Sequence, residues 1–468
     1  MRICIYTYSV TAYFFRALVD ACAAAGDQVE WSFIFPQGHF RHLFRGVVPP
    51  ERQCYLYADF ATRYARCGEP LVERGLAAAE GLVVALMKDK DGYNRLDKDE
   101  QLRRAATIHD CYETFLDRVR PDFVLFPDLE VVDGFVLMNL CRARGIGVLY
   151  FASLRFLGRS FYSADPYETL PAYFGAYDED DLAAARAALS AFRERRDYQP
   201  GAAYKPAPPP RPTLWRRIIV TAWLRLRFER LHASEETLRL RVKRNWLRTV
   251  NKFRRWRFAR LATRYFDPVS AVPANYVYYA LHYTPESSIN GLEPYFVDQL
   301  RAVDALLLNL PPGCRLVVKE HPAIVGVRPL RFYRALRRRP GLVLIHPSVD
   351  SRLLVEGAAV VATVTGTVAL EAWLLGKPCL IFGRTFFAHL CRRAPALYEL
   401  RAAMTDLIAT HAPASEEQKE IEIAKLLNIG ADFVIGDPWV NPRTTAPENV
   451  AAARRHLWRH LARLETAR

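Results

Sequence analysis

The chain has 468 residues, of which 51% are hydrophobic and 12% aromatic, so it can bury a large core and form two domains. This composition excludes a disordered protein. Lys and Arg number 65 against 50 Asp and Glu, and the net charge of +15 predicts an anionic partner: a nucleotide, a phospholipid headgroup, a nucleic acid or an acidic sugar.

Nine cysteines are scattered along the chain without any CxxC pair, which indicates neither a zinc site nor a disulfide framework. The first residues, "MRICIYTYSV", have the pattern of a β-strand and not of a signal peptide. No uninterrupted apolar run approaches the ~18 residues that cross a bilayer. We therefore expect a cytoplasmic protein.

Residues 1–166 alternate strand-like and helix-like segments. The opening strand is followed by the helical "RALVDACAAAG" and the strand "VEWSFIF", and a long helical region covers about residues 70–120. Then come the strand "DFVLFPD", the helix "GFVLMNLCRARGIG" and the strand "VLYFA". Strands that alternate with helices predict a parallel sheet covered on both faces, hence a Rossmann-like domain.

Residues 167–272 differ in composition. The Pro-rich linker "YKPAPPPRPTLW" leads into residues 215–266, where Arg is interleaved with Trp, Phe and Leu at helical spacing. One interpretation is a basic amphipathic insert that contacts an anionic membrane surface, which would place the protein at the inner face of the membrane. The alternative is helices packed between domains with solvated arginines. No nucleic-acid module accompanies the charge, so no nucleic acid is expected.

Residues 273–440 show a second α/β alternation, with short and almost wholly apolar strands that are typical of a buried parallel sheet. Residues 441–468 form a predicted helix that could pack on either domain. The predicted fold class is α/β, with two Rossmann-like domains and a basic helical insert between them.

Ligands of doubly wound sheets bind beyond the carboxyl ends of the strands, so polar residues that follow strands are the candidates. In "TVTGTVALEA", Thr365, Gly366 and Thr367 lie between a strand and a helix, where amides and hydroxyls bind phosphate or carboxylate. Glu371 follows one helical turn later and could accept the hydroxyls of a ribose. The alternative is that Thr367 and Glu371 serve only the helix.

Three more turns of this domain carry candidates. In "KEHP" the proline ends the strand and leaves a lysine and a histidine suited to a phosphate leaving group. In "ALHYTPESS" the serines could be caps, whereas the histidine and glutamate indicate a ligand; in "HPSVDS" capping and nucleobase contact are equally open. The candidates in these turns are Lys319, Glu320, His321, His282, Glu286 and Ser351.

In the first domain, "FVLFPDLEVVDGF" places Asp128, Glu130 and Asp133 between a strand and a helix. Carboxylates at such a position can act as a nucleophile or general base. The alternative for Asp133 is a cap for a helix that starts at Gly134.

The turns "LHYTPESS", "VVKEHP" and "TVTGTVALEA", with "GKPCLIFG" and "PDLEVVDG", resemble those of the bacterial capsule polysaccharide synthesis family, which includes Kdo transferases of the GT-B fold. The resemblance implies two Rossmann-like domains facing a cleft. It also implies a glycosyltransferase that takes Kdo, or a related 2-keto acid sugar, from a CMP-activated donor with retention of configuration, and a glycan or glycolipid acceptor. Asp133 or Glu130 would then serve as the catalytic carboxylate and His321 would act on the leaving phosphate.

The resemblance implies neither a metal nor a resident cofactor, and no DxD pair lies at a strand end with other ligands; "YDEDDLAAA" is expected to be the first turn of an exposed helix. Two alternatives remain. One is a transferase or epimerase that uses another nucleotide sugar, such as a CMP-sialic acid-like donor or a UDP-sugar. The other is a non-catalytic polysaccharide or membrane assembly factor.

Overall fold

A computed structural model describes residues 1–466 with gaps at 8–9, 37, 57, 59, 69–72, 74–81, 89–95, 128, 130, 156, 195–256, 259, 284–292, 325–327 and 440. Four of the sequence-based predictions therefore lie outside the described residues. They are the roles of Asp128, Glu130 and Glu286 and most of the basic insert within 215–266.

The first domain is a six-stranded sheet in the order β3-β2-β1-β4-β5-β6, parallel except for the antiparallel pair β5–β6. Side chains of the first strand alternate between two cores: Ile3 and Ile5 face one, whereas Cys4 and Tyr6 face the other. Burial on both faces explains the apolar strand sequences. The strands are β1 (Arg2–Tyr6), β2 (Glu30–Phe35), β3 (Gln53–Tyr55), β4 (Phe123–Phe126), β5 (Gly147–Leu154) and β6 (Arg159–Ser163).

The second domain repeats this topology, with all its strands parallel in the order β12-β11-β10-β7-β8-β9. Its central strand alternates in the same way, with Val277 and Tyr279 in one core and Tyr276 and Tyr278 in the other. The strands are β7 (Tyr276–Ala280), β8 (Arg315–Lys319), β9 (Leu342–Ile345), β10 (Val360–Thr363), β11 (Cys379–Ile381) and β12 (Arg392–Arg393).

Helices connect the strands and cover both sheets. In the first domain the described helices are Ala12–Ala24, Phe60–Arg66, Leu82–Lys88, Lys98–Val119 and Val132–Ala143. Those after it are Glu179–Glu194, Gln299–Leu308, Leu330–Arg337, Ser351–Gly357, Val368–Leu374, Leu400–Thr410, Glu416–Ile429 and Pro447–Thr466.

Both sheets have the strand order of a Rossmann fold, so the predicted pair of Rossmann-like domains is confirmed. The order reverses between β1 and β4 in the first sheet and between β7 and β10 in the second. At such a switch point the loops leave in opposite directions and open a crevice at the carboxyl edge of the sheet.

The domains share an apolar core. Phe161 of β6 lies 6.1 Å from Phe386, measured between ring centroids, and both belong to a cluster that includes the second sheet. The helix Glu179–Glu194 also packs against Glu416–Ile429, where Arg186 pairs with Glu420 at 2.9 Å. Its first turn is acidic, as predicted.

The helix Pro447–Thr466 returns to the first domain, which decides between the two packing positions left open by its sequence. Leu457 is fully buried in the core formed with β1 and β2. Arg454 forms an ion pair with Asp27 at 2.5 Å, and the Trp458 indole donates to the same carboxylate. Among the described residues, no helix is long and apolar enough to span a bilayer.

His456 of this helix is buried against the ring of Tyr162, with centroids 5.4 Å apart, and its two ring nitrogens have no hydrogen-bond partner in the described part of the chain. Burial lowers the pKa of His456 to about 3 from its ordinary value near 6.5. The unfolded chain thus takes up a proton between pH 6.5 and pH 3 that the folded protein excludes, and stability falls as pH drops through this window.

We therefore expect His456→Phe, which keeps the aromatic contact and removes the titration, to weaken the acid sensitivity. Between pH 7.5 and pH 5.0 the wild-type protein should lose about 2 kcal/mol more unfolding free energy than the variant. Urea unfolding at the two pH values measures the difference. Equal losses in the two proteins would contradict the assignment.

Candidate functional site

His282 shapes the crevice of the second domain. It follows β7, and its Nε2 lies 3.1 Å from the hydroxyl of Thr363 at the end of β10. The amide of Val364 donates to the same nitrogen at 3.2 Å, so this nitrogen carries no proton and the Thr363 hydroxyl is also a donor to it. The ring therefore connects the two strands that flank the switch point.

Burial lowers the pKa of His282 to about 3, and electrostatic interactions with Arg155, His321 and Arg328 act in the same direction. The ring is neutral at pH 7 as a result. A contact between His282 and a ligand was predicted from the sequence. In the structure the imidazole is buried and its Nε2 binds protein groups instead. We assign His282 as a residue that positions the turn after β10.

That turn requires glycine at position 366. A Cβ there would lie 2.7 Å from the Thr363 hydroxyl and 3.3 Å from Cε1 of His282. The Gly366 amide instead donates to the Thr363 hydroxyl at 3.1 Å. Any side chain would thus separate the turn from the histidine that shapes it.

The turn does not present all the amides that its sequence suggests. Those of Val364 and Gly366 donate to side chains of the protein, and Thr365 is fully buried. Gly366 and Thr367 are half-buried, and within the described residues the Thr367 amide makes no hydrogen bond. Thr367 makes no side-chain cap, contrary to the helix-only alternative, and the helix Val368–Leu374 is short, with seven residues.

Lys319 binds Ser351 and interacts electrostatically with Glu371, which lies in the helix that follows this turn. The Lys319 ammonium donates to the Ser351 hydroxyl at 2.5 Å. Burial lowers the pKa of Lys319, while Asp350 and Glu371 act against that shift. Burial raises the pKa of Glu371 to about 8, and Lys319 opposes this. The site thus holds a cation and a carboxyl group that titrates near neutrality.

Asp350 is the N-cap of the helix Ser351–Gly357, because its carboxylate accepts from the Arg352 amide at 2.9 Å. The capping alternative for "HPSVDS" is therefore confirmed for this aspartate. Ser351, as the first helical residue, keeps its hydroxyl for Lys319.

Glu320 requires a correction. Its side chain is 0% exposed and accepts from Arg328 at 3.0 Å and from the His321 amide at 2.7 Å. Burial raises the pKa of Glu320, and Arg328 opposes that shift. Arg328 also donates to the carbonyl of His282. The predicted donor contact of Glu320 does not fit this position, because the carboxylate is enclosed in an internal ion pair.

His321 follows Glu320 at the strand end and is half-buried. Its ring makes an edge contact with Tyr283, the centroids lying 5.9 Å apart. Because Tyr283 follows β7 and His321 follows β8, the two side chains meet at the carboxyl edge of adjacent strands. This is the edge on which the turn after β10 also lies.

In the first domain, Asp133 follows β4 at the corresponding switch point and is 8% exposed. The helix begins at Val132 and its N-cap residue is Val131, so the alternative in which Asp133 caps a helix from Gly134 is wrong. The carboxylate instead lies in the first helical turn. Among the described residues, no group of three or more His, Cys, Asp and Glu could hold a metal.

A connection between the domains was not predicted from the sequence. Arg155, which follows β5, donates to the Thr365 carbonyl at 3.4 Å and to Glu168 at 2.5 Å. The other oxygen of Glu168 accepts from the Thr385 hydroxyl at 2.7 Å. Arg155 directly follows an apolar strand in "VLYFASLR", and this signal could have identified it.

Residues 300–390 match the family model of the capsule polysaccharide biosynthesis proteins. This segment contains Lys319, His321, Ser351, the turn at 365–367 and Glu371. The resemblance predicted from the sequence is confirmed over this part of the second domain. No match was found among the curated proteins.

Three solved structures show a distant likeness. KpsC of Thermosulfurimonas dismutans, a beta Kdo 2,4 transferase, is 18% identical with a TM-score of 0.37, covering 72% of this chain and 87% of the other. Its beta Kdo 2,7 transferase is 11% identical with a TM-score of 0.39, covering 93% and 94%. UDP-GlcNAc 2-epimerase of Methanocaldococcus jannaschii is 14% identical with a TM-score of 0.27, covering 92% and 100%. These values are too low to transfer an activity to this chain.

The ion pair of Glu320 and Arg328 predicts a stability effect. Arg328→Met would leave a buried carboxylate without its cation and should lower the unfolding free energy by about 3 kcal/mol. The double variant with Glu320→Gln removes both charges and should regain part of this loss. Urea unfolding of the three proteins measures the effect, and wild-type stability in Arg328→Met would refute it.

Proposed function

We propose that this protein is a glycosyltransferase of capsule or other surface polysaccharide synthesis, acting on a nucleotide sugar and a glycan or glycolipid acceptor. One observation carries the proposal. Lys319, Glu371 and the turn at 365–367 lie at the carboxyl edge beside the switch point of the second sheet, where Rossmann-like domains bind nucleotides, and Lys319 and Glu371 interact electrostatically. All of them belong to the segment that matches the capsule polysaccharide biosynthesis family.

The second domain would hold the donor. Glu371 accepts the ribose hydroxyls, while Lys319 and His321 neutralise the phosphate that leaves. Gly366 and Thr367 bind a phosphate or a sugar carboxylate, and Thr365 is the buried residue of the same turn. We propose a CMP-activated Kdo or related 2-keto acid sugar as the donor, since its carboxylate adds a second anion for this basic site.

The first domain would supply the catalytic carboxylate. Asp133 lies at the switch point of the first sheet, and the turn at 365–367 lies at the switch point of the second. The two therefore occupy equivalent positions in their domains. A transfer that retains configuration can proceed through attack by such a carboxylate on the anomeric carbon, which breaks the bond to the phosphate and releases the nucleotide. The acceptor hydroxyl then loses its proton and displaces the carboxylate from the same carbon. Asp133 or Glu130 is proposed for this role.

A donor screen tests the proposed function. The purified protein is titrated with CMP and UDP by calorimetry, then incubated with CMP-Kdo, CMP-sialic acid and UDP-sugars, with nucleotide release as the readout. We expect binding of CMP and slow hydrolysis of CMP-Kdo. Failure to bind or hydrolyse any of these compounds would reject a glycosyltransferase function.

Glu371 predicts how nucleotide binding depends on pH. With its pKa at about 8, the carboxyl group is mostly protonated at pH 7 and must release its proton to accept two ribose hydroxyls. The affinity for CMP should therefore increase from pH 6.5 to pH 8.5, by up to about tenfold per pH unit below the pKa. Glu371→Gln should bind more weakly and with a flat profile. Calorimetry at three pH values measures this, and an unchanged slope in the variant would exclude Glu371.

His321 predicts a loss of turnover without a loss of folding. The ring is half-buried at the strand end, so His321→Ala should reduce donor turnover at least about tenfold while the melting temperature stays near that of the wild type. His346→Ala provides a matched control, because His346 follows the neighbouring strand β9 and hydrogen-bonds Ser348 at 2.7 Å. Full activity in His321→Ala would remove His321 from the mechanism.

A further inference from the structure

The guanidinium of Arg155 extends from the first domain to the turn after β10 in the second. It lies 3.4 Å from the Thr365 carbonyl, at the turn that we propose to hold the donor. Its side chain is 24% exposed, so it is only partly enclosed by the protein. Among the described residues, these hydrogen bonds to Thr365 and Glu168 engage two of its five N–H donors.

Glu168 holds this guanidinium in place. One oxygen of its carboxylate accepts from Arg155 and the other from Thr385 of the second domain. The backbone of Glu168 adopts a left-handed conformation with φ of 54°, which costs free energy for a residue with a side chain. Beside it, the Arg384 guanidinium stacks on the Tyr167 ring at 3.4 Å. Several contacts therefore fix the position of Glu168, and through it that of Arg155.

The other cations around the crevice have different partners. Arg328 is enclosed in the ion pair with Glu320, and Lys319 donates to Ser351. The charge of Arg155 also acts inside the pocket, where it contributes to the lowered pKa of His282. Arg155 is thus a cation of the first domain placed within reach of a ligand at the turn.

We propose that Arg155 binds the anionic group of the substrate held at residues 365–367, with Glu168 as its positioning residue. The inference rests on the proposed function and adds a first-domain contact to the donor. A planar guanidinium can donate two parallel hydrogen bonds to either a phosphate or a carboxylate. Both groups occur in a CMP-activated 2-keto acid sugar, and the experiment distinguishes them.

The experiment compares the wild-type protein with Arg155→Gln and Arg155→Lys, using calorimetry with CMP and with free Kdo and donor kinetics with CMP-Kdo. We expect Arg155→Gln to weaken the binding of whichever ligand carries the anion that Arg155 contacts, by about ten- to hundredfold. Arg155→Lys keeps the charge but not the paired donors, so it should recover part of the loss. A melting temperature for each variant checks that the fold is intact.

Arg159→Gln is the matched control. Arg159 lies at the start of β6 and donates to the Leu427 carbonyl at 3.1 Å, so it also links distant parts of the chain; within the described part of the chain it makes no hydrogen bond to residues 365–367. If Arg155 acts on the ligand, Arg159→Gln should bind CMP and use CMP-Kdo within about twofold of wild type. Equal losses in Arg155→Gln and Arg159→Gln would overturn the inference.

Glu168→Gln tests the positioning role. It keeps an acceptor for Thr385 but loses the charge that holds Arg155, so the KM for CMP-Kdo should rise at least about threefold while kcat changes less. A residue that only joined the domains would give a wild-type KM in this variant. That result would overturn the assigned role of Glu168.

Comparison of CMP, Kdo and CMP-Kdo identifies the anionic group that Arg155 binds. A loss already present with CMP assigns Arg155 to the phosphate, whereas unchanged CMP binding with a loss for Kdo or CMP-Kdo assigns it to the carboxylate. Wild-type values for all three ligands in Arg155→Gln overturn the inference and leave the proposed function intact. If the wild-type protein itself binds none of them, both fail.

Discussion

The hydrogen bonds of the His282 ring determine the form of the candidate site. One unprotonated nitrogen accepts from the end of β10 and from the amide that follows it. This contact requires a neutral ring, which burial secures by lowering the pKa to about 3. It also requires glycine at 366, because a side chain there would collide with Thr363. The turn, its glycine and its histidine are thus one unit, contributed by two strands that are distant in sequence.

A second unit connects this turn to the first domain. The apolar cluster around Phe161 and Phe386 holds the domains together, and the polar contacts of Glu168 lie beside the crevice. Apolar burial supplies the affinity between the domains, whereas the charged contacts determine which groups meet at the edge. In this way Arg155 of the first domain is placed at the turn at 365–367 of the second domain.

Much of this arrangement follows from local sequence. Short apolar runs predicted the buried parallel strands, and polar residues after those runs predicted the edge on which the site lies. Partners distant in the sequence were beyond such reasoning. Glu320 looks like a site residue in "KEHP", and only the fold shows that Arg328 lies beside it in the interior. Arg155 was missed because its significance depends on a turn 210 residues away.

The topology also has a consequence for synthesis of the chain. The core around β1 and β2 includes Val450, Leu457 and Leu461, so residues from nearly opposite ends of the chain form one hydrophobic face. During translation, the first sheet emerges with that face uncovered and stays so while the whole second domain is made. The N-terminal domain is therefore synthesised first but completes its core last, once the helix Pro447–Thr466 has left the ribosome.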